Sequence, residues 1–213
     1  MGALTVAREF KLVPLDCPTC GAGMRADGED VVYFCIACRN GYRFDVETRA
    51  LTAVEVSFVA LSHTSADHYR PFWLLPARVT MHERQAKGGG FSGLMSFFFG
   101  GGESEGAEGE GTFVVPAFRI PLAAVSELTR RYTEALPGLG EKLGERLLGG
   151  CFGAEDAQKL AHYALIASEV NKPDTLTRLR YDIEFGLPRL LGVPFTRQDK
   201  GIADAIFGVT VPN

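Results

Sequence analysis

The chain has no apolar run approaching the roughly 20 residues that an α-helix needs to cross a bilayer, so no membrane-spanning helix is expected. Its first residues, MGALTVAREFKLVPLD, lack the basic start, apolar centre and small-residue cleavage site of a secretory leader. Gly2 invites comparison with a myristoylation signal, but Val6 stands where that signal takes Ser or Thr. A cytoplasmic location is the resulting expectation. Excess charge is missing too: 22 Lys+Arg against 26 Asp+Glu give a formal net charge of -4. Nucleic-acid affinity rests largely on phosphates neutralised by Lys and Arg, so composition does not favour it. The G-x-x-x-x-G-K-[ST] phosphate loop is absent. The glycines at 88–90 and 100–102 are expected to lack the flanking strand and helix of a phosphate cradle.

Cysteine is sparse as well. Five in 213 residues exclude a small secreted scaffold built on disulfides. Four of them nevertheless form two C-x-x-C turns, Cys17-Pro18-Thr19-Cys20-Gly21 and Cys35-Ile36-Ala37-Cys38-Arg39-Asn40-Gly41. Each turn can wrap two thiolates around one ion, and Gly21 and Gly41 are expected to supply the permissive dihedrals. The segment between the pairs has room for a turn and two short strands. The two knuckles can then face each other and complete a tetrahedral set of sulfurs. Cys17, Cys20, Cys35 and Cys38 are therefore the predicted metal ligands. The predicted ion is Zn2+ rather than a single iron. Four sulfurs leave no position for water, which indicates a structural site.

These knuckles and the strand-like Val31–Phe34 segment between them resemble the zinc ribbon superfamily over residues 17–46. The superfamily spans transcription factors, ribosomal proteins, polymerase subunits and adaptors. The resemblance thus implies a metal and a small strand-built module without selecting a task. The remainder resembles uncharacterised bacterial zinc-ribbon proteins with a Pro-Phe-Trp strand soon after the ribbon, here Pro71, Phe72 and Trp73.

The expected fold class is α+β. A four-cysteine zinc ribbon over 1–50 precedes a mixed domain over 51–213, with a largely antiparallel sheet and two or three helices. Strands are predicted over 10–16, 51–61, 73–83, 112–120 and in several pieces over 174–211, where apolar residues tend to alternate. Pro76 should mark an edge or a bulge. Helices are predicted at 122–136 and 155–169, where apolar residues recur at helical spacing, and should cover one sheet face. Proline meets phenylalanine near strands at Pro71-Phe72, Pro116-Ala117-Phe118 and Pro194-Phe195.

Residues 86–111 are dense in glycine and read as a flexible excursion, with Glu103, Glu105, Glu108 and Glu110 in its last third. Inside it lies an apolar island: Phe91, Leu94, Met95, Phe97, Phe98 and Phe99. Such side chains have three outlets: folding back as a short helix, docking on a partner or a second copy, or touching a membrane. The island is a candidate partner-binding surface.

The functional expectation is a zinc-binding adaptor or assembly protein acting through protein contacts. One alternative is a nucleic-acid-associated ribbon, in which Tyr33, Phe34, Tyr42 and Phe44 stack on bases. Against it stand the acids Asp27, Glu29 and Asp30 between the knuckles. The other is an enzyme at the domain boundary, using His63 and His68 around Asp67, or Cys151 as nucleophile.

Overall fold

The computed structural model describes residues 15–45, 47–60, 66–87, 91, 93–100, 106–140, 147–170 and 175–212. The strand expected over 10–16 falls almost wholly outside them, as do His63 and the glycines at 88–90. Among the described residues, β1 (Val32–Phe34), β2 (Gly41–Asp45) and β3 (Ala50–Val54) form an antiparallel sheet in that order. Asp45 closes the turn after β2 by accepting the N–H groups of Glu47 and Thr48. The rest of the chain runs β4 (Val56–Val59), β5 (His68–Lys87), α1 (Gly93–Phe99), β6 (Glu108–Pro116), α2 (Leu122–Glu134), β7 (Leu139–Gly140), α3 (Ala154–Val170), β8 (Thr175–Phe185), β9 (Arg189–Gln198), β10 (Gly201–Asp204) and β11 (Thr210–Val211). The single strand expected over 51–61 is thus two strands, separated at Glu55 and belonging to different sheets.

The second, eight-stranded sheet is built on β5, which is 20 residues long. One side of β5 pairs antiparallel with β6. The other side faces β8 along Ala77–Lys87 and β9 along His68–Leu74. β8 and β9 therefore run on as one line, interrupted at 186–188 opposite Pro76. There Gly186 donates its N–H to the Pro76 carbonyl at 2.8 Å. A proline in a strand paired on both sides is tolerated because its missing donor coincides with that break. β4 and β10 pair with the far side of β9, and β7 and β11 close the ends. The β4–β9 pair is parallel, which makes the sheet mixed and the architecture α+β.

Side chains alternate across a strand, and both faces of β5 are apolar. Trp73, Leu75, Ala77, Val79 and Met81 join a core closed by α1 and α3. Phe72 and Leu74 join a second core closed by α2 through Leu128 and Tyr132. The expectation that both long helices share one face is thereby corrected. A sheet that is apolar on both sides needs cover on both, and α2 supplies it by passing the edge of β6. Thr133 Oγ1 accepts the Val114 N–H there at 3.0 Å. The three Pro–Phe segments converge in the second core: Phe72, Phe118 and Phe195 lie within 5.7–6.3 Å of one another, centroid to centroid.

The described residues of 86–111 are largely built into the sheet and the first core. β5 extends to Lys87 and β6 begins at Glu108. Between them α1 buries Leu94, Met95 and Phe98, and Phe91 is buried just before it. The Phe98 ring stands 4.7 Å from that of Phe113. Glycine at 109 permits this seating, since a Cβ there would come within 2.2 Å of the Phe98 carbonyl oxygen. Phe99 packs on the same core, half-buried, and Phe97 is 40% exposed. Four of the six island residues thus take the first of the three outlets, folding back on their own chain as a short helix. Burying each such side chain contributes roughly 1.5–3 kcal/mol, and the uncovered face of β5 and β6 is the nearest apolar cover.

Candidate metal centre

The two knuckles close with the same hydrogen bonds. Cys17 N–H donates to Ala22 O at 2.9 Å and Gly21 N–H to Cys17 O at 2.9 Å. In the second, Cys35 N–H donates to Asn40 O at 2.9 Å and Arg39 N–H to Cys35 O at 2.8 Å. Each knuckle needs a left-handed residue directly after its second cysteine. Gly21 fills that place with φ 72°, but in the second knuckle Arg39 fills it, with φ 60°. The role expected of Gly41 therefore belongs to Arg39. Gly41 is required for a different reason: a Cβ there would lie 2.2 Å from Val56 Cγ2, so its smallness lets the ribbon sit against β4.

The knuckles bring the four predicted ligands together. The Sγ atoms of Cys17, Cys20, Cys35 and Cys38 all lie within 4.8 Å of one another. Two separations that cross between knuckles are Cys17 to Cys38 at 3.5 Å and Cys20 to Cys35 at 3.6 Å. A tetrahedron with metal–sulfur bonds of about 2.3 Å has edges of about 3.8 Å, so the set fits one ion. Cys17 and Cys35 are buried, Cys38 is half-buried and Cys20 is exposed. The cluster is a compact metal-binding site consistent with a zinc-ribbon-like motif.

Tyr42 backs the sulfurs. Its hydroxyl lies 3.1 Å from Cys17 Sγ and 2.7 Å from Thr19 Oγ1. The phenol proton turns to the sulfur when Cys17 is a thiolate. Burial alone would raise the Cys17 thiol, but the Tyr42 hydroxyl and the knuckle amides of Cys20 and Thr19 outweigh it and bring the thiol down to about 6. Cys20 goes the other way. The Ala22 amide pulls its thiol down, yet burial and the neighbouring sulfurs push it up to about 12. A divalent ion resolves that competition by replacing the protons.

The ribbon is seated on the larger sheet by specific contacts. Val31 and Val32 donate their N–H groups to Gly150 O at 2.7 and 3.0 Å. Phe34 leaves the ribbon to pack with Phe58, Tyr69 and Leu147. Tyr42 is buried against the cysteines, Tyr33 packs partly buried beside it and Phe44 remains partly exposed. The acidic tip faces cations of the same chain. Glu29 pairs with Arg119 at 2.9 Å. Burial pulls the Arg70 guanidinium down, and Asp27 and Asp30 oppose that shift.

Among the described residues, the other candidates are not brought together into one cluster. Cys151 has Arg119 and Glu29 as its charged surroundings, and burial pushes its thiol up, opposite to an activated nucleophile. Asp67 Oδ2 accepts the Arg197 N–H at 2.6 Å. His162 Nδ1 lies 3.1 Å from the Tyr181 hydroxyl. The glycines at 88–90 lie outside the described residues; in sequence they stand between β5 and α1 and, with Gly93, spell G-x-G-x-x-G. However, β5 pairs antiparallel with its neighbours and α1 has seven residues. A dinucleotide cradle is built on a parallel βαβ unit instead. Gly93, with φ 50°, serves packing: a Cβ would stand 3.0 Å from Ser168 Cβ on α3.

His68 is buried, with its ring stacked on Phe195 at 6.2 Å. Burial, then Arg70 and Arg197, lower it to about 4 against the opposing pull of Asp67. It is neutral in the fold but charges in the unfolded chain below about pH 6.5. Its contribution is complete above that pH and is lost as pH falls toward 4, by about 2 kcal/mol at pH 5. Urea unfolding at pH 7 and pH 5 should show this loss in the native chain and not in His68→Gln. An equal pH dependence in both chains contradicts it.

No family model, curated protein or solved structure matches the chain. Among the described residues, no helix is long and apolar enough to cross a membrane.

Proposed function

We propose that the protein is a zinc-bearing adaptor or assembly factor that works through protein contacts and without catalysis. The observation that carries this reading is the donor set: four sulfurs converge on one point, leaving no coordination position for water or substrate. Such a site maintains shape, and the shape it maintains is the ribbon surface. Its acidic tip is turned toward Arg119 and Arg70 of the same chain, which weighs against a phosphate-binding role. Beside the charged Arg39, the second knuckle turns a large apolar side chain to solvent. Ile36 is 68% exposed and borders a notch of about 210 Å³ lined by Gly23, Met24, Arg25, Phe34, Ile36 and Leu147. An apolar side chain from a protein partner suits that lining. A cytoplasmic setting, which keeps thiolates reduced, is part of the proposal.

The test is affinity capture from the source cell with the intact chain and with Ile36→Glu. One specific partner is expected with the intact chain and should be lost with the variant, which retains its metal. A partner list unchanged by Ile36→Glu contradicts the reading.

A further inference from the structure

The edges of the larger sheet are treated unequally. Among the described residues β6 pairs only with β5, but Thr133 of α2 occupies its outer side by accepting the buried Val114 N–H. β7 and β11 are two residues each. β8 is 11 residues long and, among the described residues, pairs with β5 alone. A strand of that length with an open side is a ready template for another strand.

Its side chains specify which strand. Leu179, Tyr181, Ile183 and Phe185 face the core beneath α3, and all four remain only partly buried. The opposite face carries Arg178, Arg180, Asp182 and Glu184, all exposed. Two cations followed by two anions form an order that complements itself when reversed. We propose that β8 pairs antiparallel with β8 of a second copy of this chain, about a two-fold axis at Tyr181, joining two sheets into one.

In that register Arg180 lies opposite Asp182 of the partner subunit and Arg178 opposite Glu184 of the partner subunit. Leu179 meets Ile183 of the partner subunit on the other face. Moving the register by two residues sets Arg180 against itself or Asp182 against itself, and moving it by one opposes charged residues to apolar ones. Like charges placed directly opposite are destabilising, so one register satisfies all four charges. Arg178 and Asp182 already touch Glu83 and His82 of β5. Arg180 and Glu184 form no ion pair with another described residue. The reversed order of charge is why a second copy is favoured over a foreign strand, which would need no such symmetry.

A second surface agrees. α3 lies over β8, where His162 touches Tyr181 and Phe185. Ile166 is one turn beyond His162, and Tyr163, Ile166 and Val170 are exposed on α3. Recurrence at i, i+3 and i+7 forms one stripe. A two-fold axis normal to the sheet keeps both α3 helices on the same side.

Sedimentation velocity on the full, metal-loaded chain over a concentration series tests the proposal. The expected species has twice the 23.1 kDa chain mass. Arg180→Asp places like charges opposite each other and should weaken association by roughly tenfold or more. Combining it with Asp182→Arg restores opposite charges and should restore the dimer. Both positions are exposed, and circular dichroism checks that each variant is folded. A monomer at the highest concentration reached overturns the proposal. So does a dimer indifferent to Arg180→Asp, or one not recovered by the exchange.

Discussion

Stripping the metal with a chelator at neutral pH is expected to abolish slow amide exchange in β1 and β2 while leaving it in β5 and β9. The ribbon's own cluster consists of Cys17, Cys35 and Tyr42, with Ala22, Met24, Tyr33, Cys38 and Leu51 around them. Three of these eight residues are ligands, so without the ion the module loses the centre of its core. A module this small does not fold on apolar burial alone. Apparent binding free energies of about 10–16 kcal/mol for structural zinc in small fingers exceed what any single side chain contributes. The cores around β5 contain none of the four ligands and should persist. Their stability should still fall, because Val32 and Phe34 withdraw from contacts with the larger sheet. Cys35→Ser should reproduce the effect. Cys151→Ser should not, since Cys151 lies outside the cluster. Hydrogen exchange read by mass spectrometry, with and without chelator, decides the matter. Unchanged protection in β1 and β2 would contradict it.

Replacing Arg84 by Leu is expected to destabilise the chain by about 3–5 kcal/mol, because it strands a carboxylate in the core. Arg84 on β5 and Glu169 on α3 meet at 3.1 Å with side chains only 7% and 1% exposed. The guanidinium also lies 5.2 Å from the Phe91 ring centroid, so it ties Phe91 to the same place. Both charged residues make further contacts, and a double-mutant cycle separates the pair from them. Glu169→Leu alone should cost a comparable amount. Arg84→Leu with Glu169→Leu should cost less than either single change, since two apolar groups need no partner. Urea midpoints at constant slope measure all three. A loss below about 1 kcal/mol for Arg84→Leu would show that the carboxylate finds water.

The parts of this structure that local spacing dictates were legible in the sequence. C-x-x-C turns announce their ligands because each pair is closed within one turn. α2 and α3 follow from apolar recurrence, and their bounds lie within two residues of expectation. The features that were not legible depend on distant partners. Arg39 adopts a left-handed backbone because the second knuckle must repeat the first, and only the matching position after Cys20 hints at it. The island around Leu94 folds inward because β5 and β6 leave a face for it, which no periodicity within 86–111 reveals. Pro76 sits mid-sheet because a break more than 100 residues later, at 186–188, lies opposite it. Arg84 and Glu169 are 85 residues apart and carry no shared pattern.

X-ray absorption at the zinc edge of protein purified without added metal addresses the centre of the account most directly. One ion per chain with four sulfurs at about 2.3 Å and no lighter donor is the expected result. A missing zinc edge, or a shell containing nitrogen or oxygen, would contradict it.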